Sequence, residues 1–220
     1  MSRRKLHRFQ HNQEAFNVIE RDKPLYTTIK GKWNEIQFKN SSPLVLELAC
    51  GKGEYTVGLA EHLPSQNIIG IDIKGDRIAR GSKRAKEKGL TNAAFLRTGI
   101  QYLDEFFQEK EIAEIWLIHP DPQPGDKQEK KRLTNQHFLD LYKKYLMKDG
   151  LFKLKTDSPE LYAYSLEKLQ QDPDFEVLGY TKDLYNSGLL EEHFGIQTHY
   201  EKLWVEKGFT INYIKARLKV

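Results

Sequence analysis

Apolar residues recur along this chain in two rhythms. From Leu44 onward, short apolar runs of strand length alternate with stretches in which apolar positions return every three or four residues. LVLELAC (44–50) predicts a first strand ended by a glycine-rich bend, and EYTVGLAEHL (54–63) follows with helical spacing. NIIGIDI (67–73) predicts a second strand, GDRIARGSKRAKEKG (75–89) a second helix stopped by Gly89, and AAFLR (93–97) a third strand. IAEIWLIH (112–119) is apolar through its middle, as a strand buried on both faces must be. NQHFLDLYKKYLMKDG (135–150) predicts a helix closed by Gly150. LFKLKT (151–156) is a fifth strand, after which Ser158-Pro159 opens a helix through ELYAYSLEKLQQ. FEVLGYT (175–181) and THYEKLWVEKG (198–208) predict two late antiparallel strands. Residues 1–43 read as a polar, irregular, basic N-terminal extension ahead of one domain spanning 44–220.

This alternation predicts an α/β fold, a doubly wound and mostly parallel seven-stranded Rossmann-like sheet with helices on both faces. Right-handed crossovers place the loops that follow the strands along one edge, where ligands bind near the topological switch point. The loops that matter are therefore 50–54, 72–76, 119–132 and 156–159.

The first of these reads Glu47-Leu48-Ala49-Cys50-Gly51-Lys52-Gly53-Glu54. A dinucleotide fingerprint needs a third glycine where Thr56 stands. An acidic residue at the strand end followed by small residues at every second position (Glu47, Ala49, Gly51, Gly53) instead resembles the S-adenosylmethionine loop of class I methyltransferases. That cofactor has no pyrophosphate to rest on a helix N-terminus, but it carries a cationic amino group and a sulfonium that suit a nearby carboxylate. Asp72, nineteen residues after Gly53, ends the second strand where a carboxylate accepts both ribose hydroxyls; its alternative role is to cap the next helix. The loop after the third strand, with Gly99, lacks the carboxylate that often holds adenine. Cys50 reads as a small buried residue of a tight turn.

The loop from His119 to Arg132 holds three prolines in five residues, which stiffen it and exclude helix there. Asp121 lies between two of them, and Lys127, Lys130, Lys131 and Arg132 follow as a positive rim for phosphate contact, or as a solvated face. Thr156-Asp157 ends the fifth strand; Thr198 and Glu201, three apart, must straddle a bend to act together.

The net charge of +4 is compatible with an anionic partner without demanding one. One cysteine excludes an internal disulfide, and no apolar run approaches the roughly 20 residues of a membrane helix. A cytoplasmic protein, monomeric or homodimeric and without a metal site, is the expectation; His7 and His11 have helical spacing but no third ligand. Arg3, Arg4, Lys5 and Arg8 form either a phosphate-wrapping arm or an ordinary tail.

In order and spacing, LVLELACGKGEY, GIDIKGDRI, PDPQP…KKRL, KTD and THYE resemble the bacterial tRNA (guanine-N7)-methyltransferase family, from about Trp33 to Gly208. The resemblance implies that Glu47, Asp72 and Asp121 hold the cofactor, with Asp121 at the reaction centre. It implies that Asp157 and the segment Thr198, Tyr200 and Glu201 hold the base, and that the acceptor is the variable-loop guanine of tRNA. Gln123 stands where the family usually has Trp, and Gly125 where it has a substrate-contacting Lys, a space Lys127 is placed to fill. Rival readings are methylation of another RNA or an amine, a nicotinamide oxidoreductase, and a non-catalytic RNA-binding relative.

Overall fold

A computed structural model describes residues 3–220, with nothing described of the side chains of Arg3 and Arg4. Eight strands form one sheet: β1 (Val18–Ile19), β2 (Leu44–Leu48), β3 (Asn67–Ile71), β4 (Ala93–Leu96), β5 (Ile112–Ile118), β6 (Leu146–Thr156), β7 (Phe175–Thr181) and β8 (Asn212–Leu218). Their order is β1-β4-β3-β2-β5-β6-β8-β7. The first six positions are parallel, and β8 runs antiparallel between β6 and β7. Among the described residues, six α-helices complete the α/β fold: α1 (Arg3–Glu14), α2 (Glu54–His62), α3 (Gly75–Glu87), α4 (Gln136–Tyr145), α5 (Pro159–Gln171) and α6 (His199–Glu206).

Strand alternation divides the core in two. Leu44, Leu46 and Leu48 of β2 join Ile115 and Leu117 of β5, with Tyr142 of α4 and Tyr162 of α5, on one face. Val45, Phe95 and Trp116 meet Tyr55 and Leu59 of α2 and Ile78 of α3 on the other. Parallel strands clothed on both sides need apolar residues at every position, and the runs read from the sequence have that character. Ser158 caps α5 as its Ser-Pro pair predicts, with Oγ accepting from the amide of Leu161 at 3.2 Å.

Three elements differ from the sequence reading. THYEKLWVEKG is helix α6, not a strand. Thr198 accepts from the Glu201 amide at 3.1 Å, while the Glu201 carboxylate accepts from the Thr198 amide at 3.2 Å, a reciprocal capping box. The strand that pairs with β7 is Asn212–Leu218, beyond that helix, so the seven-stranded core is complete with different membership. Helix α4 ends at Tyr145, five residues before Gly150, because Leu146 already pairs with Ile112 as the first residue of β6.

Residues 3–43 are not irregular. β1 adds an eighth, edge strand to the sheet, and α1 lies on α3, with Asn12 donating to the Gly75 carbonyl at 2.8 Å and Arg8 3.7 Å from Asp76. A π-helical turn at Trp33–Phe38 buries Trp33 completely, stacked on Phe107 at 5.5 Å with its indole N–H bonded to the Phe106 carbonyl. Removing so large a buried side chain costs about 3–5 kcal/mol in other cores. Trp33→Ala therefore lowers unfolding free energy by about that amount in denaturant titration; a change below about 1 kcal/mol would show that this segment is dispensable to the core.

Candidate active site

The loops after β2, β3, β4 and β5 meet around a cavity of about 500 Å³, lined among others by Ala49, Asp72, Ile73, Gly99, His119 and Asp121. Four of the expected cofactor residues thus share one wall: Ala49, Asp72, Gly99 and Asp121. Two others stand behind it. Glu47 is buried on the α2 side of the sheet, where its carboxylate accepts from the amide of Thr56 at 2.6 Å and from the Thr56 hydroxyl. It satisfies an otherwise unpaired donor in the first turn of α2 and so anchors the bend. Gly53 has φ of 65°, and a Cβ there would lie 2.6 Å from the Phe95 ring. Its missing side chain serves helix–sheet packing, whereas the corresponding position at Gly51 (φ 55°) meets only a backbone oxygen at 4.0 Å and opens outward.

Asp72 ties two loops together. One oxygen accepts from the Gly51 amide at 2.9 Å and the other from the Lys74 amide at 2.7 Å. The latter is a local turn rather than a helix cap, since α3 has no side-chain cap bond. Ile73 beside it is 63% exposed, an apolar platform at the cavity's edge.

Asp121 is exposed, and its carboxylate accepts from the Gln123 amide at 3.3 Å. The loop carrying it is tightly wound: His119 and Gln123 adopt left-handed φ values of 45° and 47°, and Gly125 one of 79°. A side chain at Gly125 would strain this path, which accounts for glycine where the family resemblance leads one to expect lysine. Residues Asp126–Lys131 form a 3-10 turn that leaves Lys127, Lys130 and Lys131 exposed and, among the described residues, without an ion pair within 4 Å. Arg132 does not join that rim. It is buried, bonded to Glu160 at 2.6 Å and to the Gln123 carbonyl at 3.2 Å, and lies 4.5 Å from the Tyr164 ring centroid. Its charge holds the loop rather than a phosphate.

Beside the cavity lies a cluster that the sequence reading missed. His119 Nδ1 is 3.1 Å from Asp157 Oδ1, and His119 Nε2 is 3.4 Å from Glu201 Oε2. Glu201 is fully buried against Lys155, equally buried, and accepts from the Tyr185 hydroxyl at 2.5 Å. Lys155 also donates to the Tyr55 hydroxyl at 2.7 Å, which lies 2.9 Å from His193 Nδ1. Of the cluster's carboxylates, Asp157 is the one that opens to solvent, with 36% of its side chain exposed. Thr198 is spent capping α6, and Tyr200, 62% exposed, has Lys52 Nζ 5.2 Å from its ring centroid. Of the two carboxylates expected to face a base, geometry leaves Asp157 available and Glu201 enclosed. Lys155 was missed because LFKLKT gives no sign that its basic face is covered; His119 carried no cue beyond its place at a strand end.

The buried carboxylates are pushed in opposite directions. Burial pushes Glu201 up, but the His119 contact and the Lys155 charge outweigh it and hold its carboxyl at about 2. Burial dominates at Glu47 and pushes it up to about 8 against its two Thr56 bonds. Glu47 thus binds its proton more tightly in the folded chain than its ordinary value of 4.5 allows in the unfolded one. Its contribution is present below about 4.5 and is lost as pH rises through about 8. Glu47→Gln keeps an acceptor for Thr56 and removes this dependence. In denaturant melts, its stability relative to wild type rises with pH across that window; a constant difference between the two proteins would contradict the assignment.

Among the described residues no helix is long and apolar enough to cross a membrane. Residues 41–213 match the family Methyltransf_4, described as "Putative methyltransferase". The tRNA (guanine-N(7)-)-methyltransferase of Cytophaga hutchinsonii is 45% identical, covering 98% of this chain and 97% of that protein. Its counterpart from Christiangramia forsetii is 47% identical over 99% of each chain. Among solved structures, the 16S rRNA methyltransferase KamB superposes with a TM-score of 0.63 at 14% identity, covering 86% of this chain and 94% of its own, a likeness of fold. With relatives this similar along nearly its whole length, the chain belongs to the tRNA (guanine-N(7)-)-methyltransferase family.

Proposed function

We propose that this protein transfers the methyl group of S-adenosylmethionine to N7 of a guanine in tRNA, the variable-loop guanine by family likeness, and that it does so in the cytoplasm. The observation that carries the reading is the convergence of Asp72, Asp121 and His119 on one cavity at the sheet's carboxyl edge, with Asp157 bonded to His119 beside it. The residues present fit the cofactor. The cavity of about 500 Å³ suits a nucleoside of that size, Ile73 offers an apolar face for a purine, and Asp72 supplies the carboxylate for ribose hydroxyls. Gly51 lets the chain approach closely, and Glu47 holds the bend that makes this approach. When bound, S-adenosylmethionine supplies an electrophilic methyl group on a cationic sulfonium.

The chain's own part follows from the acceptor's chemistry. Guanine N7 has a free lone pair at neutral pH, so no residue need remove a proton; alignment is the main requirement. Positive charge builds on the purine during transfer, and a carboxylate facing it stabilises the transition state more than the ground state. Asp121, at the cavity rim, takes that role. Asp157, with one oxygen bonded to His119 and its side chain partly open, accepts from the N1–H and N2–H₂ edge of guanine, a pattern that adenine lacks. Tyr200 and Lys52 flank the approach to the bend, and Lys127, Lys130 and Lys131 face phosphates.

Nucleoside mass spectrometry of tRNA incubated with enzyme and S-adenosylmethionine is expected to detect 7-methylguanosine; its absence with well-folded protein would overturn the reading. Asp157→Ala lowers turnover by about 10²-fold or more in steady-state kinetics, the usual loss for one pairing group in a closed site, while far-UV dichroism stays native. Replacing Lys127, Lys130 and Lys131 together with alanine lowers the slope of log affinity against log salt by roughly 2. An unchanged slope would place the RNA backbone elsewhere.

A further inference from the structure

We propose that His119 is a positioning residue for base recognition: its ring lines the cavity and joins the partly exposed Asp157 to the buried Glu201, and so fixes the carboxylate that meets the acceptor base. This inference rests on the reading of Asp157 given above, and it adds a residue and a pH dependence to that reading.

Three elements converge on the ring. Its own backbone is held by the amide of His119 donating to the Lys155 carbonyl of β6 at 2.8 Å. Nδ1 meets Asp157, two residues beyond Lys155, at 3.1 Å. Nε2 lies 3.4 Å from Glu201 of α6, an ion-pair distance lacking a second well-aligned hydrogen bond. The side chain is 15% exposed and lines the same cavity as Asp72 and Asp121. The left-handed φ of 45° at His119 is uncommon for a residue with a side chain and is the kind of local strain that accumulates at functional sites.

The surrounding charges decide the proton. Asp157 and Glu201 favour the imidazolium, while Lys155 and burial oppose it; His193 stands nearby with its own proton suppressed by burial and by Lys155. Burial is the largest influence on His119 and would strip its proton, yet the two carboxylates outweigh it and raise its pKa above the ordinary 6.5. Asp121, in the same loop, is a further carboxylate facing the cavity. A neutral ring has one N–H for two carboxylates, so its bare nitrogen then points lone pair to lone pair at Asp157 or Glu201. Loss of the proton therefore reduces the Asp157 contact from a charge-assisted hydrogen bond to at most a neutral one.

The test compares wild type with His119→Asn, because asparagine tolerates left-handed backbone and offers an amide donor to Asp157 but has no proton to lose. Steady-state kcat and KM for tRNA are measured from about pH 6 to about pH 9, across the range of a raised histidine. In wild type, kcat/KM falls on the order of tenfold as His119 deprotonates, chiefly through KM, the scale of one charge-assisted hydrogen bond. In His119→Asn it is low and lacks that limb. Titration of the guanine itself is common to both enzymes and cancels in their ratio. A parallel NMR titration of the His119 ring places its midpoint above 6.5 in wild type and lower in Asp157→Asn. Identical pH limbs in the two enzymes, or a midpoint unmoved by Asp157→Asn, would overturn the proposal. If wild type methylates no tRNA guanine at any pH, the functional reading fails instead, and the NMR titration still decides whether the ring clamps Asp157.

Discussion

Three lysines on one face of the sheet set the terms for the site. Lys153 and Lys155 of β6 and Lys215 of β8 point away from the Phe152–Ile214–Ala216 core, and Lys153 lies directly across from Lys215 in the strand register. Like charges opposed on a sheet repel, and a lysine taken out of water without a partner is strongly unfavourable. The segment between β7 and β8 resolves both difficulties. Its Glu192 lies 2.8 Å from Lys215 and 3.6 Å from Lys153, and its Glu201 pairs with the fully buried Lys155. Glu114 of β5 adds a contact to Lys153 at 2.6 Å. The positions of Leu190–His193 and α6 over the sheet are thus fixed by where the lysines need counter-charges. A pair this buried contributes less to net stability than its proximity suggests, since both ions lose their hydration. What it gives is register: α6 cannot slide by a turn without stranding Lys155.

That registration reaches the cavity through Glu201, which performs three tasks at once. It closes the capping box with Thr198, neutralises Lys155, and faces His119. The opposite side of the cavity has its own anchor in Glu47, whose two Thr56 bonds fix the first turn of α2, while Asp72 bridges the loop tips. The two buried glutamates differ because their surroundings do. Glu201 has a lysine and a histidine beside it and stays ionised; Glu47 has neutral donors only and holds its proton well above the usual carboxylate range. One glutamate is therefore held ionised by its neighbours, and the other is held protonated well above the usual carboxylate range.

The sequence made the parallel half of the sheet legible because parallel strands are apolar on both faces, and β2, β3, β4 and β5 carry that signature without interruption. The antiparallel end was harder for a physical reason. In β6 and β8 every second residue is polar, yet that polar face is covered rather than solvated, so INYIKARL lacks a strong strand signal and LFKLKT gives no sign of burial. THYEKLWVEKG was read as a strand, but Thr198 and Glu201 at capping-box spacing were a helix signal already present in the letters. The N-terminal segment was misjudged by its overall polarity; its core anchors Ile19, Ile29, Trp33 and Phe38 are too widely spaced to show a period. At the site, the loops were found from topology alone, whereas His119 and Lys155 needed tertiary contacts to acquire meaning.

The rigidity of the Asp121 loop follows from the same economy of charge. Three prolines fix φ along the loop, and Arg132 closes it from beneath by bonding Glu160 and the Gln123 carbonyl. Gly125 bends it at a φ of 79° where a lysine would be strained, so the exposed cations begin only at Lys127, inside the 3-10 turn that follows. Cationic side chains are thereby kept off the stretch from Pro120 to Gly125 and concentrated beyond it. For a reaction in which positive charge grows on the acceptor, that separation is favourable. In the function proposed above, the carboxylates Asp121 and Asp157 face the base and the lysines face phosphates, where their charge attracts the RNA without opposing the transfer.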